Sequence, residues 1–243
     1  MGLDGVRQVY EDLGHADPLY AVLTRHDRRG GRWDPAEFFE TGLQEVAGLL
    51  EHLAALPWKP GRETALDFGC GVGRLTQALA EHYDQVVGID ISHTMIANAR
   101  RFDRHPGRVQ YLVNTGGDLR LLGDDRFDLV YSSITLQHIP PEYQASYIQD
   151  FIRVIRPGGL AVFQTRNGPH IEPGTLRSRL YTLRRRHLRR IWRRLRGRPL
   201  YEMHFIARSR VEELVQNSGG RLIDVTDLSR RRRGKSLRYC VTK

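Results

Sequence analysis

A short apolar run, TALDF (64–68), leads straight into GCGVGRLTQALA, so Gly69, Gly71 and Gly73 fall in a turn between a strand and a helix. Glycine admits backbone angles closed to other residues and lets a ligand touch the main chain, and the helix that follows offers free N–H groups. That combination suits a nucleotide-like ligand, although glycines alone are also compatible with a dinucleotide site or a plain tight turn. Asp67, immediately before the turn, disfavours a pyrophosphate and favours a cationic or zwitterionic ligand. Asp90 ends the next strand about twenty residues on, where a carboxylate can accept both hydroxyls of a ribose. Asp118, in VNTGGDL after the third strand, is placed to accept from an exocyclic amine. His138, in LQHIP, is the candidate to take the proton of a hydroxyl nucleophile, since an unperturbed histidine titrates near working pH.

These residues need a scaffold that brings strand ends together. TALDF, QVVGID (85–90), RVQYLV (108–113), FDLVYS (127–132) and GLAVFQT (159–165) read as strands, with helices near 73–83, 93–104 and 141–155 between most of them. Alternating strand and helix predicts a parallel sheet with right-handed crossovers, covered on both faces. RLIDVTD (221–227) and SLRYCVT (236–242) are separated by only LSRRRRGK, too short for a parallel return, so they predict an antiparallel terminal hairpin. SRVE (209–212) reads as a capping box opening the helix before it. In 34–54, DPAE gives a cap, a first-turn proline and a capping box, and Phe39, Leu43, Val46, Leu50 and Leu53 mark one buried face.

With these pieces in place, the chain resembles the class I S-adenosylmethionine-dependent methyltransferases. The matching segments are LDFGCGVGRLT (66–76), VVGIDIS (86–92), GGDL (116–119), FDLVYSSITLQHIP (127–140) and IRPGGLAVF (155–163), in family order. The resemblance implies an α/β, Rossmann-like methyltransferase fold with a seven-stranded, mostly parallel sheet. It implies that Asp67, Gly69, Gly71 and Gly73 surround the methionine part of S-adenosylmethionine, that Asp90 with Ile91 holds the ribose, and that Asp118 with Leu119 borders the adenine. The segment from Ser132 to His138 would face the methyl group. Tyr20 and His204 are further candidates for the substrate wall. Residues 1–60 are expected as an N-terminal helical cap, 61–243 as the methyltransferase domain, and 166–208 as a lid inserted in it.

Absences narrow the reaction. After FDLV the chain continues YSSI rather than the Asn/Asp-Pro-Pro-aromatic sequence that positions an exocyclic nitrogen, and there is no Pro-Cys nucleophile for cytosine. The paired-glutamate loop of protein arginine methyltransferases and an acidic Mg²⁺ constellation are missing, and no closely spaced Cys/His set has zinc-ligand geometry. The expectation is metal-free methylation of a small molecule, on an oxygen of a glycoside, lipid-linked glycan or secondary metabolite. RNA methylation, or a non-catalytic cofactor-binding or membrane-associated role, is the alternative.

The chain of 243 residues carries a formal charge of +10, unevenly placed: residues 171–243 hold 21 of the 38 Lys and Arg but 6 of the 28 Asp and Glu. Eleven arginines fall between Arg177 and Arg198 among leucines spaced near a helical repeat and Trp192, which reads as a basic amphipathic helix. It is compatible with a solvated face, with an anionic membrane surface or phosphate-bearing substrate, and less readily with nucleic acid, for which no recognition module is present. No apolar run approaches the ~18 residues of a membrane span. Two cysteines and no leader-like N-terminus predict a cytoplasmic protein, with peripheral membrane association as a variant.

Overall fold

A computed structural model describes residues 2–168, 202–229 and 235–243. The basic run Arg177–Arg198, most of the expected lid and Arg230–Arg233 lie outside the described residues. Among those described, no helix is long and apolar enough to cross a membrane.

The chain opens with α1 (Leu3–Ala16), α2 (Pro18–Val22) and α3 (Pro35–Ala55). It continues through β1 (Thr64–Phe68), α4 (Arg74–Ala80), β2 (Gln85–Asp90), α5 (His93–Phe102), β3 (Val109–Val113) and β4 (Phe127–Ser132). The last elements are α6 (Pro141–Val154), β5 (Ile155–Asn167), α7 (Arg208–Asn217), β6 (Arg221–Asp227) and β7 (Lys235–Thr242). The seven strands form one sheet in the order β3-β2-β1-β4-β5-β7-β6. β1 to β5 pair in parallel, while β7 runs antiparallel between β5 and β6. The order reverses between β1 and β4, and in open α/β sheets ligands bind beyond the carboxyl ends of the strands at that point.

Both faces of the sheet are covered, as apolar parallel strands require. One face packs Leu66, Ile89 and Phe163 against Ile148 and Phe151 of α6 and Val211 and Leu214 of α7. The other packs Ala65, Leu129 and Val162 against Val46, Leu49 and Leu53 of α3 and Leu79 of α4.

Three local expectations are corrected. Asp34 caps α3 as predicted, accepting from Glu37 N at 3.0 Å, but the buried face is turned by about one residue. Phe38 and Leu49 are buried, whereas Leu43 is 40% exposed. The cause is Gly42, where a Cβ would overlap the backbone carbonyl of Arg74: α3 meets α4 along its glycine, and Leu43 is rotated outward. The SRVE box does not open α7, which begins one residue earlier at Arg208, whose N–H donates to the Asn167 side chain at 3.1 Å. β5 begins at Ile155 rather than 159, its early part paired with Phe127 before a register shift.

Candidate active site

The turn after β1 wraps over the end of β2. Gly69 N and Cys70 N donate to Ile89 O at 2.7 and 3.0 Å, and Gly71 N donates to Asp90 Oδ2 at 2.9 Å. Gly69, Gly71 and Gly73 all take positive φ, at 77°, 55° and 83°. A Cβ on Gly69 would overlap Thr135, and one on Gly71 would meet Val22 of α2 at 2.5 Å. The turn is therefore clamped between the loop after β4 and the N-terminal helices.

Asp90 accepts from Gly71 N through one oxygen and from Ser92 N through the other, at 2.9 Å each. Burial pushes its carboxyl up despite these bonds, leaving an acid that gains from additional donors. Asp67 is buried at the end of β1 and accepts from the Thr76 hydroxyl at 2.7 Å. Burial raises its pKa to about 7, with Glu45 and Asp90 adding to the rise and Thr76 and Arg74 opposing it.

Arg74, the first residue of α4, is buried; it donates to Glu45 Oε2 at 2.7 Å and to Thr41 O at 3.2 Å. Glu45 also accepts from the Tyr131 hydroxyl at 3.0 Å. Burial alone would raise Glu45, but the Arg74 charge and hydrogen bonds from Ser133, Arg74 and Tyr131 outweigh it and hold the carboxyl below its usual range. This network joins the glycine turn to the loop after β4.

A cavity of about 210 Å³, too large to be explained by a few ordered waters, runs between the two. Its wall includes Gly69, Gly71, Asp90, Ile91 and His138 of the predicted residues. Asp67, Gly73, Asp118, Leu119, Ser132, Tyr20 and His204 lie outside it. Asp118 is turned toward Arg120, whose Nε donates to it at 2.7 Å, and these contacts lower its pKa. Tyr20 sits on α2 beside Ala21 and Val22, which do line the cavity. His204 runs alongside the loop after β4, its N–H donating to Gln137 O at 2.7 Å.

Ser133, Ile134 and Thr135, within the segment expected to face the methyl group, also line the cavity, whereas sequence reasoning missed Leu3, Val6 and Tyr10 from α1, Arg74, Asn114 and Met203. Tyr10 packs edge-on against His138, ring centroids 6.2 Å apart. Asn114 shapes the turn after β3, donating to Asp118 O at 2.8 Å and accepting from Gly116 N at 3.2 Å. Glu11 of α1 fastens this roof: it accepts from the Ser92 hydroxyl, His93 N and Thr94 N at 2.8–3.0 Å, capping α5. Those bonds overcome the effect of burial and hold its carboxyl down at about 2. Sequence spacing also concealed that His52, Asp224 and Cys240 meet on the α3 face, the His52 ring nitrogen 3.1 Å from Asp224.

His138 Nε2 is 3.2 Å from the Gln137 side-chain amide. Burial lowers its pKa to about 4, with the charge of Arg166 and neighbouring His204 adding to the drop against a hydrogen bond with the Glu202 backbone. Its imidazole is therefore neutral at pH 7 and able to accept a proton, but it titrates below the near-neutral range expected from the sequence and is a weaker base for it, because burial disfavours the imidazolium. Cys70 is buried with its thiol pushed well above its usual range, which suits packing rather than nucleophilic attack.

Residues 65–159 match a family model described as a methyltransferase domain. The fold superposes on a Leishmania major S-adenosylmethionine-dependent methyltransferase with a TM-score of 0.66 at 15% identity, covering 98% of this chain and 83% of that one. Residues 65–159 thus match a methyltransferase domain, and the fold is that of the class I methyltransferases. Another structure with the same fold is magnesium protoporphyrin IX methyltransferase from Synechocystis, solved with S-adenosylhomocysteine: TM-score 0.64, 18% identity, 99% of both chains. Among curated methyltransferases, the ubiquinone biosynthesis O-methyltransferase of Coxiella burnetii is 30% identical over 166 residues, 67% of this chain and 65% of that protein. The bifunctional biotin biosynthesis protein BioHC of Cellvibrio japonicus is 26% identical over 229 residues, 94% of this chain but 41% of its own length. The chain thus spans under two thirds of these curated relatives.

The cofactor of class I methyltransferases is S-adenosylmethionine. The site fits it in chemistry: a carboxylate, Asp90, on the cavity wall for hydroxyls, acidic groups around the glycine turn for an ammonium, and a buried Arg74 Nε with no hydrogen-bond partner among the described residues for a carboxylate.

Proposed function

We propose that the protein transfers a methyl group from S-adenosylmethionine to an oxygen of a small-molecule acceptor, of the glycoside, lipid-linked glycan or secondary-metabolite kind. The observation carrying this reading is that one cavity joins Gly69, Gly71, Asp90 and Ile91 to Ser133, Thr135 and His138. Asp90 and Ile91 would hold the ribose, Gly69 and Gly71 the methionine part, with Asp67 and Gly73 shaping their turn; Asp118 and Leu119 would border the adenine through the turn that Asn114 closes. Bound there, the sulfonium supplies an electrophilic methyl group.

This chain's residues then have two tasks. The first is positioning in a dry pocket, which can supply most of the rate of an in-line displacement. α1 and α2 roof the cavity with Leu3, Val6, Tyr10, Ala21 and Val22 and exclude water. The second is proton removal. His138, neutral above about pH 4, accepts the acceptor hydroxyl proton as the new carbon–oxygen bond forms. Ser132, Tyr20 and His204 stand behind this wall as supports. The small-molecule relatives named above favour a small acceptor over RNA.

The test measures S-adenosylhomocysteine binding and methyl transfer from labelled S-adenosylmethionine to a panel of phenols, sugars and RNA. Binding together with transfer to a small hydroxyl compound supports the reading; failure to bind, or transfer to RNA alone, overturns it. His138→Gln is expected to lower turnover about 10²- to 10⁴-fold with cofactor affinity unchanged.

A further inference from the structure

Two non-glycine residues among those described take positive φ: Asp125 at 52° and Ile134 at 64°. Aspartate tolerates the left-handed region, but a β-branched side chain there is a true outlier. Ile134 is also 40% exposed, so burial does not offset its strain. Glycine or asparagine would fill this turn more comfortably.

The surroundings account for how the strain is held. On one side Ser132 is buried at the end of β4; on the other Leu136 is fully buried. Thr135 fills the space where a Cβ of Gly69 would be, and its hydroxyl donates to Ser133 O at 3.1 Å. His138 N donates back to Thr135 O at 2.9 Å. With both flanks anchored, Ile134 is left facing the cavity wall it shares with Ser133, His138 and Met203. Met203 is 46% exposed and Phe205, two residues on, 40%. Strained, exposed apolar residues gather at functional sites, where the strain serves an arrangement that stability alone would not keep.

We propose that Ile134 is a specificity-determining residue, which with Met203 forms an apolar jaw selecting acceptors that carry a hydroxyl on an apolar body. This rests on the reading of the cavity as the methyl-acceptor site and narrows it, favouring apolar secondary metabolites over glycosides. Among the described residues the charged group at the jaw is Arg166, and it is engaged, donating to Met203 Sδ at 2.8 Å and lying over the Phe205 ring.

The experiment uses the full chain saturated with S-adenosylhomocysteine, whose own binding is measured first by calorimetry. If that ligand fails to bind, the methyltransferase reading falls and the jaw with it; if it binds, the jaw is tested separately. Phenols with 4-methyl, 4-propyl and 4-hexyl groups, and phenyl glucoside, are then titrated. Affinity is expected to rise about threefold to fourfold per buried methylene. 4-Hexylphenol is expected to bind at least tenfold more weakly to Ile134→Gly and to Met203→Ser, while S-adenosylhomocysteine affinity stays within twofold. Relief of strain is expected to raise the melting temperature of Ile134→Gly by about 2–4 °C. Affinity independent of chain length, preference for phenyl glucoside, undiminished 4-hexylphenol binding in both variants, or a lower melting temperature for Ile134→Gly would each overturn the proposal.

Discussion

The two ends of the cavity are built from different materials. Around β1 and β2 the wall is set by main chain, two glycines with positive φ and a carboxylate tied to backbone N–H groups. Below β4 it is side chain: Ile134, Thr135, His138, Tyr10 and Met203, drawn from distant parts of the sequence. Main chain cannot vary without breaking the turn, whereas side chains can be exchanged one at a time. A scaffold made this way keeps one ligand and can change the other.

The joint between the ends gives the largest effect. Glu45→Gln leaves Arg74 buried without its countercharge, and about 3–5 kcal/mol of stability should be lost in urea unfolding. A loss under 1 kcal/mol would mean that the two ends are not held by this pair. At the main-chain end, Gly71→Val places a branched side chain against Val22 in a left-handed turn. S-adenosylhomocysteine affinity should fall more than about 100-fold by calorimetry, at or above the upper end of what one lost charged hydrogen bond costs; a change within threefold would break the contrast drawn here.

Asp90→Asn sharpens it. The substitution keeps size but replaces an acceptor by a donor facing two N–H groups, and affinity for the same ligand should drop about 10- to 100-fold. The roof is more lightly held. Glu11→Gln should cost about 1 kcal/mol, as loss of a good helix cap does, and speed ligand release in stopped-flow measurements. In the parent protein that contribution is present above the ordinary glutamate pKa of 4.5 and is lost as pH falls toward about 2. Asp67 behaves oppositely. Its folded pKa of about 7 exceeds the ordinary 3.8, so its contribution is present at low pH and lost as pH rises through 7. Asp67→Asn should flatten the pH dependence of melting between the ordinary 3.8 and about 7.

The same contrast explains what was legible in the sequence. Gly69, Gly71 and Asp90 announce themselves because backbone angles and strand ends are local properties, written in a few consecutive residues. The sheet, its terminal hairpin and the Asp34 cap follow from equally local patterns. Leu3, Tyr10 and Met203 carry no such mark: an apolar residue on an amphipathic helix or in an extended segment reads the same whether it meets core or ligand. The one-residue turn of α3 needed knowledge of Gly42 against Arg74, and the start of α7 depended on Asn167, 41 positions away. Ile134 had a signal of strain that exists only in φ, and residue type does not reveal it.

The place of β7 has a consequence for the order in which the protein can be completed. Synthesis runs from the amino end, so residues 235–242 emerge after every other strand, yet they fill the gap between β5 and β6. Until then β5 is an open edge carrying Leu160, Ala161, Val162 and Phe163, all fully buried in the finished sheet, and β6 has no neighbour at all. A nascent chain is thus most exposed to mispairing between the emergence of β5 and that of β7, and a stall before residue 235 would leave a cofactor turn already made beside an edge ready to recruit another chain.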